Sequence, residues 1–231
     1  MTGWRVDSAE RDGRLLGDAA RAGRDAVVRS CPDRTGADLL AHAAGFARYV
    51  DRLLDGAAGP TDPLVPVAPD EALRTWDDDL ARLVDRLRST PPDAPVPNWS
   101  VLPDEAAFWA RRAAHELAVH RWDAGTTSAG KTGAATPDPL PAPLARDGIA
   151  EYFEAFAATA FAAGAPGRAA TIVLEPVDGG EPLQFGLPDP GPVTLLRGTA
   201  SDLLLALWWR RDPLDHLVSG DRALLAEWPR I

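Results

Sequence analysis

Proline sets the first limit on what this chain can fold into. The stretches "GPTDPLVPVAP" (59–69) and "STPPDAPVPNWSVLP" (89–103) cannot lie inside a helix, because each proline lacks the amide hydrogen and clashes with the preceding turn. Long helices must therefore fit between these stretches, and four segments have the spacing to do so. The first follows Ser8, with Leu15, Leu16, Ala19 and Ala22 as its inward candidates. The second starts after "CPDRTG", with Thr35 as N-cap, and aligns Leu39, His42, Phe46, Tyr49, Val50 and Leu53 on one stripe. A third, near Asp70 to Leu87, repeats the spacing with Leu73, Trp76, Leu80, Val84 and Leu87, and a fourth starts near Asp104.

Beyond the fourth helix, "AGTTSAGKTGAATPDPLPAP" reads as an inter-domain linker of small and turn-forming residues. A fifth helix is expected with Ile149, Tyr152, Phe153, Phe156 and Ala160 on one face. At Arg168 the period changes. "RAATIVLEPVD", "EPLQFGLP" and "PVTLLRG" read as short strands, and "VDGGEP" joins the first two as a hairpin turn. "SDLLLALWWRRD" then reads as a helix capped by Ser201 and stopped before Pro213, and a short last helix follows Gly220 and Asp221. The expected architecture is α+β, a helical metal-binding bundle over 1–136 and a small α+β domain with a linking helix over 137–231.

Charge and cysteine content narrow the function. A net charge of -10 over 231 residues, with no basic cluster, argues against nucleic acid and anionic membrane as partners. Cys31 stands alone, so no internal disulfide forms, and no apolar run suits a leader or a membrane span. The expectation is a soluble, cytoplasmic protein.

The fourth helix contains "AHELAVHRWDA" (114–124), which resembles at first sight a zinc-protease signature. That signature needs histidines at i and i+4. Here His115 and His120 are five apart, roughly 140° around the helix, and cannot chelate one ion from one helix. Glu116 and His120 share a stripe and make a two-ligand half-site. His42, on its own inward stripe, is the natural third ligand; two imidazoles and a carboxylate would leave zinc one open position, as in catalytic sites. An inward histidine is also often a hydrogen-bonded core residue, and Glu116 could simply pair with Arg112 one turn earlier, so spacing alone leaves both readings open. Asp123, three residues after His120, reads as a support for the imidazole or as a solvated helix-end carboxylate. His115 is assigned a structural role and Cys31 a packed, inert thiol. Arg210 and Arg211 could cap a helix C-terminus.

Three separated motifs add a resemblance. "CPDRTGADLLAHAAG", "RRAAHELAVHRWDA" and "GTASDLLLALWWRRDPLDHLVSGDRALLAEW", in this order, resemble the mycothiol-dependent maleylpyruvate isomerase family of actinobacteria, part of a wider group of DinB-like metal-binding four-helix bundles. The resemblance implies a divalent metal, usually zinc, at the positions matching His42, Glu116 and His120, and a catalytic arginine at the position matching Arg210. It also implies mycothiol as thiol co-substrate. Two departures bear on the substrate or thiol pocket. Asp33 and Arg34 stand where the family usually has Gly-Trp, and Trp209 replaces a small residue before the arginine.

The function this implies is that of a divalent-metal-dependent, mycothiol-dependent isomerase or thiol S-transferase. It would act on a small, electrophilic, carboxylate-bearing substrate, with a metal-bound thiolate as nucleophile and Arg210 gripping a substrate carboxylate. A non-catalytic metal-binding scaffold or regulatory protein, or a hydrolase using zinc-bound water, are the alternatives.

Overall fold

The computed structural model describes residues 3–132, 137–164, 169–187 and 189–226. It divides into two compact units, one of Met1–Trp99 with Pro103–Asp138, the other of Ser100–Leu102 with Pro139–Ile231.

Four long helices build the first unit: α1 (Gly3–Ala22), α2 (Gly36–Leu54), α3 (Pro69–Ser89) and α4 (Ala106–Thr132), each in contact with the other three. The second helix begins as expected. Thr35 caps it, its hydroxyl accepting from the Asp38 amide while the Asp38 carboxylate accepts from the Thr35 amide at 2.9 Å, a reciprocal capping box. Leu39, Phe46, Tyr49, Val50 and Leu53 are buried along its stripe. In α3, Trp76, Leu80, Val84 and Leu87 are buried and Leu73 is half-buried.

The first helix departs from expectation. It starts five residues before Ser8, and its inward stripe is Val6, Ala9, Asp12, Gly13, Leu16, Gly17 and Ala20, leaving Leu15 and Ala22 exposed. Its register is set by close approach, not by bulk. A Cβ on Gly13 would lie 2.6 Å from a Leu80 methyl, and one on Gly17 would lie 2.6 Å from the Trp76 ring. Trp76 exploits the gap by donating its indole N–H to the Gly13 carbonyl at 2.8 Å. Glycines in the seam hid its periodicity from a count of large apolar residues.

Buried charges join these helices in pairs. Asp12 on α1 meets Arg121 on α4 at 3.1 Å, and Arg48 on α2 reaches Asp79, Glu71 and Thr75 on α3. Between α1 and α2 lies a short antiparallel hairpin, β1 (Val27–Val28) and β2 (Cys31–Thr35). The proline-rich 89–103 stretch is pinned to α4, whose Trp109 donates to the Pro97 carbonyl at 3.1 Å.

The linker expected from Ala124 is a continuation of α4, which runs to Thr132. Glycine and threonine are poor helix formers, yet tertiary packing decides here. Thr126 and Thr127 are buried and return their hydroxyls to the carbonyls of Asp123 and Ala124 at 2.6 and 2.7 Å. A Cβ on Gly23 would strike the Thr127 hydroxyl at 2.3 Å, so the missing side chain there is what admits the threonine. The expectation also extended over 133–136, which lie outside the described residues.

The second unit places α5 (Ala142–Glu151), a π-helical turn (Tyr152–Ala157) and α6 (Ala158–Ala162) ahead of a sheet of order β4-β3-β5-β6. Its strands are β3 (Ala170–Pro176), β4 (Leu183–Leu187), β5 (Val193–Gly198) and β6 (Leu217–Ser219). β3 pairs antiparallel with β4 from Ala170↔Leu187 to Leu174↔Leu183, and Gly179 and Gly180 supply the positive φ that their turn needs. β3 pairs parallel with β5, with Thr171 opposite Val193.

Next comes α7 (Ala200–Leu207), and a short α8 (Arg222–Ala226) follows Asp221, whose carboxylate accepts from the Ala223 amide at 2.8 Å. The cap of α7 is Thr199 and not Ser201: the Thr199 hydroxyl accepts from the Asp202 amide, while buried Ser201 accepts from the Leu140 amide. Helix α7 also ends earlier than expected. The amides of Trp209 and Arg210 bond back to the carbonyls of Ala206 and Leu205, and Trp209 takes φ 58°. This closing motif favours glycine at the left-handed position. The family departure at Trp209 therefore falls where a side chain is conformationally least welcome.

Candidate metal centre

Two helices of the first unit bring the three expected ligands together. His42 projects from α2 and Glu116 and His120 from α4, and their ligand atoms lie within 4.8 Å of one another. The Nε2 atoms of His42 and His120 each lie 3.0 Å from the same oxygen, Oε1 of Glu116. The two rings meet edge to face, with centroids 5.1 Å apart. Side-chain exposures of 27 % for His42, 20 % for Glu116 and 10 % for His120 leave the cluster reachable from solvent while burying most of each group.

The donor set fits a divalent ion. Imidazole and carboxylate are zinc ligands, and at bond lengths of about 2.0–2.1 Å tetrahedral ligands stand roughly 3.3 Å apart, so the two histidine–glutamate contacts at 3.0 Å lie within a few tenths of an ångström of that spacing. Three protein ligands leave a position for an exogenous group.

Glu116 faces two ways. Oε1 faces the histidines, and Oε2 accepts from Arg112 at 3.2 Å. Burial alone would raise the Glu116 carboxyl, but the charge and hydrogen bond of His120, the bond from His42 and the charge of Arg112 hold it well below the usual carboxylate range. For His120, burial opposes charging, yet the Glu116 charge and the hydrogen bonds to Asp123 and Glu116 push it up to about 9. Both His120 nitrogens face carboxylates, an arrangement that favours the protonated ring.

Asp123 is not a solvated helix-end group. It is fully buried, lies inside α4 because that helix continues past it, accepts from His120 Nδ1 at 3.1 Å and accepts the Ser30 hydroxyl at 2.6 Å. Ser30 was not anticipated, since nothing in its sequence neighbourhood marks it. His115 is buried outside the cluster, and Cys31 is half-buried in β2. Arg210, in the second unit, donates from Nη1 to the Trp208 carbonyl at 2.8 Å, and Arg211 pairs with Asp202 at 3.2 Å. The helix-capping role considered for this pair is thus present for Arg210. Asp33 and Arg34 are exposed on β2.

A bundle with a two-histidine, one-glutamate cluster, next in sequence to a small α+β unit, defines the class. A profile described as the mycothiol maleylpyruvate isomerase N-terminal domain matches residues 6–125, and one for the C-terminal domain of the same family matches residues 143–227. The chain belongs to the mycothiol-dependent maleylpyruvate isomerase family, a family of enzymes. Its structure is similar to that of a histidine-to-alanine mutant of the mycothiol-dependent maleylpyruvate isomerase, at TM-score 0.69 and 16 % identity, over 95 % of this chain and 93 % of that one. The mycothiol-dependent maleylpyruvate isomerase itself gives TM-score 0.66 at the same identity and coverage. At this identity the likeness is one of fold, and it agrees with the α+β class expected from the sequence. No curated protein matches. Among the described residues, no helix is long and apolar enough to cross a membrane.

Proposed function

We propose that this protein is a divalent-metal-dependent enzyme that uses mycothiol to isomerise, or to transfer sulfur to, a small electrophilic substrate bearing carboxylates. The observation that supports it most is the convergence of His42, Glu116 and His120 from two helices. These three would hold the ion, with zinc the first candidate and other divalent ions acceptable to the same donors. A bound ion would supply positive charge that lowers the pKa of a thiol beside it.

The chain's own residues prepare that chemistry. Glu116 keeps its charge because Arg112 and the histidines stabilise the carboxylate, so one ligand stays anionic at neutral pH. One anionic ligand leaves a divalent centre net positive, which a second carboxylate would cancel. To hold an ion His120 would give up its Nε2 proton, while Nδ1 would keep its own toward Asp123.

In the isomerase reaction, the mycothiol sulfur adds to the activated double bond of a cis-enoic diacid. The adduct turns about the resulting single bond, and the carbon–sulfur bond then breaks to release the trans isomer and the thiol. In the transferase reaction the adduct takes up a proton at carbon and keeps the sulfur. Arg210 is assigned to a substrate carboxylate, which its planar guanidinium can grip by two hydrogen bonds.

Turnover of maleylpyruvate by the zinc-loaded protein, with and without mycothiol, tests the reading. Isomerisation only with thiol is expected. Hydrolysis of the substrate to the same extent with and without thiol would replace it with a hydrolase. An unchanged visible spectrum of the cobalt-loaded protein on adding mycothiol, together with metal-dependent association with another protein, would replace it with a scaffold.

A further inference from the structure

Among the hydrogen-bond partners of the buried Asp123 carboxylate are two from different parts of the chain. On one side His120 Nδ1 approaches Oδ2 at 3.1 Å; on the other the Ser30 hydroxyl donates to Oδ1 at 2.6 Å. An ionised carboxylate only accepts, so the ring nitrogen facing it must carry hydrogen. Nε2 faces the Glu116 oxygen that His42 Nε2 also approaches, so it is the nitrogen that would give up its proton to an ion while Nδ1 keeps its own toward Asp123.

Ser30 is held where it stands by the hairpin. It lies in the turn between β1 and β2, where Val28 pairs with Cys31 and Val27 with Thr35. The same segment leads straight into α2: the Gly36 amide donates to the Ala26 carbonyl at 3.0 Å, the Ala37 amide donates to the Arg24 carbonyl at 3.0 Å, and Thr35 caps the helix. A Cβ on Gly36 would meet the Gly23 carbonyl at 2.5 Å, so the hairpin exit is packed against the end of α1. The entry to the helix carrying His42 and the support of His120 on α4 are therefore one connected piece of backbone.

We infer that Ser30 and Asp123 are positioning residues of the metal centre: together they fix the His120 tautomer and orientation, and they make metal affinity depend on the β1–β2 hairpin. The inference rests on the metal-centre reading above. Partners of this kind typically account for 10–100-fold in metal affinity.

The test measures cobalt and zinc affinity by chelator competition in the full chain, for the wild type, Ser30→Ala, Ser30→Thr and Asp123→Asn, beside the thermal midpoint of each metal-free protein. Asp123→Asn is expected to weaken binding roughly 10–100-fold, and Ser30→Ala by about tenfold or less. Ser30→Thr keeps a hydroxyl and is expected to recover most of the loss. Ser30→Ala should leave the metal-free midpoint close to wild type, which separates positioning from general destabilisation. If Asp123→Asn does not fold, the serine pair carries the test. Wild-type affinity in both Ser30→Ala and Asp123→Asn, or a Ser30→Ala loss matched by an equal loss of metal-free stability and not recovered by threonine, would overturn the inference. A wild-type protein that binds no ion would instead overturn the metal-centre reading beneath it.

Discussion

The two units treat buried polarity differently. The first buries charge: Asp12, Asp79, Arg112, His120, Arg121 and Asp123 are all nearly inaccessible. Among the described residues of the second, Glu151 is the buried charge, and the other buried polar groups are hydroxyls, those of Tyr152, Thr171, Thr194 and Ser201. A buried hydroxyl can be satisfied by a nearby amide, as Ser201 is by Leu140. A buried charge needs an opposite partner held at good geometry, and removing that partner costs several kcal/mol.

Within the first unit the charges divide again. Asp12 with Arg121, and Asp79 with Arg48, are acids met by arginines, the arrangement of a structural tie. At Glu116 two imidazole nitrogens crowd one oxygen, an arrangement that three bonds to a cation would relieve. Surplus ligand atoms at one point, rather than burial of charge as such, set this cluster apart from the arginine–carboxylate ties.

The largest effect expected from that distinction is on turnover. Stripping the metal with a chelator should remove activity, and one equivalent of zinc or cobalt should restore it. Glu116→Gln should lower turnover by at least about 100-fold. Retained activity in the stripped protein would erase the distinction between the cluster and the ties.

Packing provides the next contrast. Trp76→Ala removes a fully buried indole together with its bond to the Gly13 carbonyl, so denaturant unfolding should show a loss of about 3–5 kcal/mol. Leu203→Ala, in the core of the second unit, should cost about 2–5 kcal/mol and leave metal affinity unchanged.

Proton linkage follows from His120. Its folded value of about 9 stands above the ordinary 6.5, so the stabilisation it gives the metal-free protein is full below 6.5 and lost as pH rises through 9. The metal-free thermal midpoint should therefore fall across that window. The ion must displace the Nε2 proton, so apparent metal affinity should rise about tenfold per pH unit from 7 toward 9 and then level off. An affinity independent of pH over this range would show that His120 is not the group displaced.

The smallest effects concern the caps. Thr35→Ala and Thr199→Ala should each cost about 1 kcal/mol. Thr35→Ala should also weaken metal binding, because α2 carries His42, whereas Thr199→Ala should not. Equal metal affinity in the two variants would blunt the contrast between the units.

Sequence legibility followed the same physics. The convergence of His42, Glu116 and His120 could be read because helical geometry fixes which side chains share a face: Glu116 and His120 by a spacing of four, His42 by its place on the Leu39–Leu53 stripe. Family resemblance pointed to the same residues. Thr35 could be read as a cap because its signal is local. The α1 register could not, since its seam is made of Gly13 and Gly17, which carry no hydrophobic signal. The end of α4 was hidden by low-propensity residues that packing overrides, and with it the interior position of Asp123. Ser30 was invisible because its partner lies far along the chain. The departure at Trp209 was visible as a residue, but its meaning, a bulky side chain at a left-handed helix end, needed the backbone.

The central claim is that His42, Glu116 and His120 hold one divalent ion. Titrating cobalt into the metal-free protein and into His42→Ala, followed by visible absorption, addresses it most directly. One equivalent bound by the wild type, with the spectrum of a low-coordinate nitrogen and oxygen site, and at least about 100-fold weaker binding by His42→Ala, is the expected result. Binding of equal strength and stoichiometry in the two proteins, or none in the wild type, would contradict the claim.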